Sequence, residues 1–136
     1  MIDKEIIKIA SNTENYGVLD NRTHFSKLKN SICGDEMKIY LIVKNNSIEN
    51  FKYECESCIY CQASVSVLSR KAKNKSIEKV KNFVEQAKNC FEKNTKSFGN
   101  EWKEFDKIMI KNNISRKECL LLPVNTTLDA INKKSL

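Results

Sequence analysis

Two neighbouring segments with β-strand patterns constrain the fold of this chain more than any other feature. Residues 37–43 are rich in the β-branched and aromatic side chains that strands favour. Residues 48–55 alternate apolar and charged side chains, as a strand with one buried face does. Asn45 and Asn46 lie between them and are turn-forming residues. The two segments therefore predict a β-hairpin with one face that other elements must cover.

The rest of the chain predicts mainly helices around this hairpin. The expected helices are at residues 3–10, 59–73, 76–91 and 102–110, with a last helix from Pro123 to about residue 132. Residues 11–36 read as irregular, and residues 94–101 as a loop around Gly99. The order of helix, strands and then helices predicts an α+β fold, in which several α-helices pack on a small antiparallel β-sheet. A length of 136 residues suits a single domain over residues 1–136.

Composition narrows the cellular setting. The chain is 40% hydrophobic and 30% charged, and no apolar run approaches the roughly 20 residues of a membrane span. Its first residues lack the basic and then apolar order of a secretory signal. We therefore expect a cytoplasmic protein with no membrane association. In that reducing setting the six cysteines stay as thiols, which favours metal or sulfur chemistry over disulfides.

The net charge of +7 does not by itself predict nucleic-acid binding. Nearly all of the positive charge is Lys, spread along the chain without a dense basic block, and Arg occurs only at Arg22, Arg70 and Arg116. A lysine-rich surface in contact with water explains this pattern, and we expect no nucleic-acid partner.

A thiol and a carboxylate lie two residues apart just before the hairpin, in Cys33-Gly34-Asp35. Gly34 between them allows the backbone to turn sharply. Thiolates combined with a carboxylate can complete a four-coordinate zinc site or hold iron. This loop is therefore a candidate for part of a metal site.

Three more cysteines follow the hairpin, in Cys55-x-x-Cys58-x-x-Cys61. The ferredoxin run would need a fourth Cys followed by a Pro, and the chain has neither at those places after Cys61. A thioredoxin-like pair would require a βαβ pattern that the chain lacks. Cys58, at the strand-to-helix turn, has the clearest access to a shared site. Packing is the favoured interpretation of Cys55 and Cys61, with a role at the site left open.

For Cys90 and His24, a structural role is a better explanation than a role in metal binding or catalysis. Cys90 shares an apolar helix face with Phe83 and Ala87, which predicts a small buried side chain. His24 lies in a polar segment, where a surface position is expected rather than a metal ligand.

Five short segments, spread over essentially the whole chain, match the motifs of one family. They are Asn12-Thr13-Glu14-Asn15-Tyr16-Gly17-Val18-Leu19, Cys33-Gly34-Asp35 before a strand, Cys58 followed by Ala63-Ser64-Val65-Ser66, Asn74-Lys75-Ser76, and Cys119. In this order and spacing they resemble the IscU/SufU (NifU N-terminal) family of iron–sulfur cluster assembly proteins.

Within that family the chain more closely resembles the SufU branch. The stretch between Ser76 and Cys119 is long for IscU, and Arg116 resembles an Arg of SufU. Glu118 stands where IscU has His, and the Leu-Pro-Pro-Val-Lys motif of IscU is absent. Thr13 in place of Pro, and the additional Cys55 and Cys61, depart from the family pattern.

The resemblance implies a function and a ligand set. Cys33, Asp35, Cys58 and Cys119 would hold zinc or iron and a transient iron–sulfur cluster. A SufS-like cysteine desulfurase would deliver sulfur, first to Cys33, and a cluster carrier or apo-protein would receive the product. The resemblance favours a scaffold or sulfur carrier over a turnover enzyme. The alternatives are a zinc-dependent sulfurtransferase that relays persulfide sulfur to a separate scaffold, and a purely structural zinc module.

Overall fold

A three-stranded antiparallel sheet forms the centre of the fold. The computed structural model describes residues 4–93 and 98–133. The strands β1 (His24–Lys29), β2 (Glu36–Lys44) and β3 (Ser47–Glu56) lie in the order β1-β2-β3. The expected hairpin is confirmed as β2–β3. Asn45 and Asn46 connect the strands with φ of 52° and 61°, as the two central residues of a tight hairpin turn require.

Strand β1 corrects the expectation that residues 11–36 are irregular. Its sequence, His-Phe-Ser-Lys-Leu-Lys, shows little hydrophobic alternation. Among the described residues, β1 lies at the edge of the sheet and pairs with β2 alone. Its buried Ser26 is held by a hydrogen bond from Oγ to the carboxylate of Asp129 in the last helix. Contacts with β2 and the last helix therefore form a strand that the local sequence pattern does not predict.

Helices α2 (Ile59–Lys71) and α4 (Lys117–Asn132) pack on the sheet, whereas α1 (Lys4–Ala10) packs on α2 and α3 (Ile77–Lys93) packs on α4. Small residues on α2 allow α4 to approach closely, and the buried Ser64 Oγ donates to the carbonyl of Leu120 at 2.7 Å. The core between helices and sheet includes the fully buried Ile39, Phe51 and Leu68. The expected α+β class is confirmed. Among the described residues, no helix has the length and apolar character needed to cross a bilayer.

The region after α3 differs from the expectation. The predicted helix at 102–110 is instead a 3₁₀ segment, Asn100–Lys107, and a further 3₁₀ segment follows it at Lys111–Arg116. The first is held by aromatic packing rather than by helical periodicity: Trp102 stacks on Phe83 with ring centroids 4.3 Å apart. Of the predicted loop at 94–101, residues 94–97 lie outside the described residues.

The last helix begins at Lys117, six residues before the predicted start at Pro123. The buried run 119–124 explains the difference, because those side chains gain core contacts only if the helix includes them. Pro123 therefore lies inside α4, where it has no N–H to donate to the carbonyl of Cys119. Cys119 consequently lies in the first turn of a helix and not before it.

Candidate metal centre

The loop between β1 and β2 holds Cys33 and Asp35 in a closed turn. The backbone N–H of Asn30 donates to the carbonyl of Asp35, and the N–H of Gly34 donates to the carbonyl of Asn30, both at 2.8 Å. Gly34 has φ of 79°, a left-handed conformation that side chains disfavour. The glycine of the Cys-Gly-Asp motif thus allows both flanking side chains to meet on one side of the loop.

The end of β3 brings Cys58 to the same place. Glu36, at the start of β2, pairs with Glu56, at the end of β3. The β1–β2 loop and the β3–α2 turn therefore lie at the same end of the sheet. Cys58 is the N-cap residue of α2. Its backbone N–H donates to Asp35 Oδ2 at 3.3 Å, which fixes the carboxylate against the start of the helix.

Cys119 reaches this end of the sheet from the first turn of α4. Its Sγ, the Sγ of Cys33 and a carboxylate oxygen of Asp35 all lie within 4.8 Å of one another. Cys58 lies outside that group of three, but it is near enough to Cys119 to contribute to the raised pKa of the Cys119 thiol. Four potential ligands from three separate parts of the chain therefore converge on one small volume.

Burial is uneven across this group. Cys33 is exposed and Cys58 half-buried, whereas Asp35 and Cys119 are only 8% and 6% exposed. Burial raises the pKa of the Cys119 thiol, and its interactions with Cys58, Cys33 and Asp35 raise it further. Without a cation Cys119 thus stays protonated at neutral pH, and a metal ion would have to displace that proton.

The donor set fits zinc or iron. Three thiolates and one carboxylate supply four ligands of the kinds that both metals accept. The buried Asp35 would bring a negative charge that a bound cation would compensate.

The remaining cysteines lie outside the group of donor atoms within 4.8 Å of one another, although Cys55 and Cys61 interact with Asp35 and Cys58. Cys61 is fully buried one turn into α2, beside Ser57, and burial raises its pKa. Cys55, half-buried at the end of β3, also contacts Ser57, and burial raises its pKa. Cys90 lies on α3, where burial raises its pKa to about 11.

His24 begins β1 opposite Leu41 and bonds Thr23 Oγ1 through Nδ1 at 2.8 Å. It lies at the other end of β1 from the loop that carries Cys33. It is only partly buried. His24 is therefore not placed to bind a metal together with Cys33, Asp35 and Cys119.

Two residues around the site were not predicted from sequence. Asn30 accepts a hydrogen bond from the N–H of Ile32 at 2.9 Å, which shapes the Cys33 loop. Its turn-forming side chain three residues before Cys33 was the available signal. Tyr60, two residues after Cys58, lies under the guanidinium of Arg116, 5.3 Å from its ring centroid. No local pattern predicts that pair, because its members are far apart in sequence.

Comparison with known proteins agrees with this architecture. The model of the NifU-like N-terminal domain matches residues 1–97. The iron–sulfur cluster assembly scaffold protein IscU of Thermotoga maritima is 27% identical over 135 residues, which cover 99% of this chain and 95% of that protein. The zinc-dependent sulfurtransferase SufU of Bacillus subtilis is 33% identical over 67 residues, covering 49% of this chain and 45% of that protein.

A solved structure shares the fold. The N-terminal NifU-like protein of Brucella abortus superposes with a TM-score of 0.88 at 20% identity, covering 95% of this chain and 90% of that one. The family match spans most of this chain. In this chain Cys33, Cys58 and Cys119 lie together at one end of the sheet. The chain therefore belongs to the NifU-like N-terminal domain family, in which the IscU and SufU proteins are its relatives.

Proposed function

We propose that this protein is an iron–sulfur cluster assembly scaffold that binds iron or zinc through Cys33, Asp35, Cys58 and Cys119. The observation that carries the proposal is the convergence of the Cys33, Asp35 and Cys119 donor atoms within 4.8 Å, from a loop and a helix far apart in sequence. Structural packing alone has no need to bring exposed and buried thiols together with a carboxylate.

The chemistry of the four ligands suits a site that releases what it holds. Thiolates bind zinc and iron strongly, whereas a carboxylate oxygen is a harder ligand with less preference for soft metals. Asp35 in place of a fourth thiolate would therefore weaken retention of a cluster. A cluster carrier or an apo-protein would then receive it.

Differences in exposure support Cys33 as the first sulfur acceptor. A cysteine desulfurase, which the SufU-like features suggest is SufS-like, must bring its own persulfide to the attacking thiol. Cys33 is exposed on a loop, whereas Cys119 is 6% exposed. A metal-bound Cys33 would be held as thiolate, the form that attacks a persulfide. The proposal places the protein in the cytoplasm, where thiols stay reduced.

The second candidate is a zinc-dependent sulfurtransferase that relays persulfide sulfur to a separate scaffold. It is favoured by the match to the protein named SufU and by Arg116 stacked on Tyr60 beside Cys58. In either function residues 1–136 would act as one domain.

Metal analysis combined with anaerobic reconstitution tests the proposal. The protein as purified is assayed for zinc and iron, then incubated with ferrous iron and sulfide and followed by visible absorbance. A scaffold develops the absorbance of an iron–sulfur cluster, which Cys119→Ser fails to develop and Cys55→Ser retains. Stable zinc with no cluster absorbance would favour the sulfurtransferase, and no metal in either form would overturn both.

A further inference from the structure

The last two cysteines of the Cys55-x-x-Cys58-x-x-Cys61 motif lie at the start of a helix. Cys58 is the N-cap of α2, with φ of −70° and ψ of 166°, and Cys61 is the third residue of the helix. The N–H of Gln62 donates to the carbonyl of Cys58 at 3.0 Å, so the first turn is closed. Side chains at the N-cap and at the third helical position lie next to each other, as in a capping box.

This spacing suits a disulfide. Residues three apart in a closed helical turn have Cα atoms about 5 Å apart. Disulfide-bonded cysteines usually have Cα atoms about 4.4–6.8 Å apart. The Cys61 thiol interacts electrostatically with the thiols of both Cys55 and Cys58. Formation of a bond between Cys58 and Cys61 therefore needs side-chain rotation and little backbone movement.

Access to the two thiols differs sharply. Cys61 is 0% exposed, so reagents in solvent do not reach it directly. Cys58 is half-buried and interacts with Cys119. Cys58 is therefore the metal-centre cysteine from which sulfur would reach Cys61.

We propose that Cys61 releases sulfide from a persulfide carried on Cys58. This inference rests on the proposed function, because it assumes that sulfane sulfur reaches the metal-centre cysteines. The Cys61 sulfur attacks Sγ of the Cys58 persulfide, and a Cys58–Cys61 disulfide forms. The bond between Cys58 Sγ and the outer sulfur breaks, and that sulfur leaves with the Cys61 proton as hydrogen sulfide.

The electrons balance within the protein. The outer sulfur is reduced from the sulfane to the sulfide state, and the Cys58 and Cys61 sulfurs are oxidised to a disulfide. An external dithiol then reduces the disulfide for another cycle. The pair therefore supplies the two electrons that turn persulfide sulfur into the sulfide that a cluster contains.

Three other thiols could compete for the same chemistry. Cys55 contacts Ser57, as Cys61 does, but it lies in extended strand β3 rather than in the helical turn. Cys33 and Cys119 have sulfur atoms within 4.8 Å, and they could join to each other instead. A test must therefore identify which cysteines are bonded.

The test uses metal-free, reduced protein treated anaerobically with inorganic polysulfide, freed of excess reagent, alkylated and digested with trypsin. Cleavage after Lys52 and Arg70 gives one peptide with Cys55, Cys58 and Cys61. We expect wild type to show a Cys58–Cys61 disulfide with Cys55 alkylated. Cys61→Ala should instead accumulate persulfide on Cys58. Cys55→Ala, the matched control from the same segment, should behave as wild type.

Three outcomes would overturn the proposal. One is equal persulfide on Cys58 in wild type and Cys61→Ala. The others are a disulfide that uses Cys33, Cys55 or Cys119 instead, and the absence of both species from both proteins. Circular dichroism checks that Cys61→Ala is folded. Oxidation of wild type with diamide tests whether Cys58 and Cys61 can form a disulfide when no persulfide is present. Cluster reconstitution from inorganic sulfide does not need Cys61, so Cys61→Ala should still form a cluster if the proposed function holds.

Discussion

Cys119 in α4 and Cys90 in α3 are buried to the same extent, each 6% exposed, yet they lie in different chemical surroundings. Burial raises the pKa of both thiols. Around Cys119 the charges of Cys58, Cys33 and Asp35 add to that effect, whereas burial is the only factor that raises the pKa of Cys90. Equal burial therefore does not make equal thiols: the neighbouring donor atoms distinguish a candidate ligand from a packed side chain.

The largest expected effect would separate these two cysteines by metal binding. Cys119→Ser removes a ligand, so we expect metal affinity to fall by more than the ~10–100-fold seen when only a partner of a ligand is lost. Cys90→Ala should bind metal as wild type does. Zinc and iron content and competition with a chromophoric chelator measure both. Equal affinity of the two variants would contradict the assignment of Cys119.

The next prediction compares Cys119 with the exposed Cys33 as sulfur acceptors. After incubation with a cysteine desulfurase and cysteine, Cys33→Ser should lose most of the persulfide, because the partner reaches Cys33 first. Cys119→Ser should still carry it. Mass spectrometry of the intact proteins makes the comparison. Persulfide that persists on Cys33→Ser and vanishes from Cys119→Ser would assign the acceptor role to Cys119.

Removal of metal should spare the region around Cys90. The core of sheet and helices includes Phe83, Val84 and Ala87 on α3, which are buried without any contribution from the metal centre. We expect the far-ultraviolet circular dichroism spectrum to keep most of its helical signal after chelation. A structural zinc module would instead unfold. Loss of most secondary structure on chelation would favour that alternative.

Two glycines allow the loop at the metal centre to be compared with a loop outside it. Gly34 and Gly99 have φ of 79° and 84°, and an added Cβ would meet no atom within 4 Å at either position. Gly34→Ala and Gly99→Ala should each cost about 1–2 kcal/mol of stability, from backbone strain alone. Only Gly34→Ala should also weaken metal binding, because Gly34 positions Cys33 and Asp35. Thermal melts and metal titrations separate the two effects.

The smallest effect concerns the pH dependence of metal-free stability. Thiols of the unfolded chain lose their protons near pH 8.5, whereas burial holds the pKa of Cys90 at about 11 in the folded protein. Between these values the unfolded state binds fewer protons, so the free energy of unfolding falls as pH rises. The stability cost of Cys90→Ala should therefore be smaller near pH 10.5 than near pH 7.5. Chemical denaturation at both pH values measures it, and a cost that does not change would be inconsistent with a raised pKa.

Local pattern predicted the elements that have a strong pattern of their own. Residues 37–43 are rich in β-branched and aromatic side chains, and residues 48–55 alternate apolar and charged side chains. With the Asn-Asn turn between them, they form the hairpin as expected. Residues 77–93 are amphipathic and form α3. By contrast, β1 has little alternation, and the 3₁₀ segment at Asn100–Lys107 depends on Trp102 packing against Phe83. Those elements exist because of partners distant in sequence, which no local window contains.

The metal centre divides in the same way. Sequence by itself determined the Cys33-Gly34-Asp35 turn, because a glycine between two candidate ligands is a local property. It also placed Cys58 at the start of a helix. The family resemblance implied Cys119 as well, but only the tertiary structure decided that Cys119 lies beside Cys33 and Asp35, because its position depends on α4 beginning at Lys117 and packing on Ser64 of α2. Helix packing is a long-range outcome of burying apolar surface, and the chain order of the cysteines does not contain it.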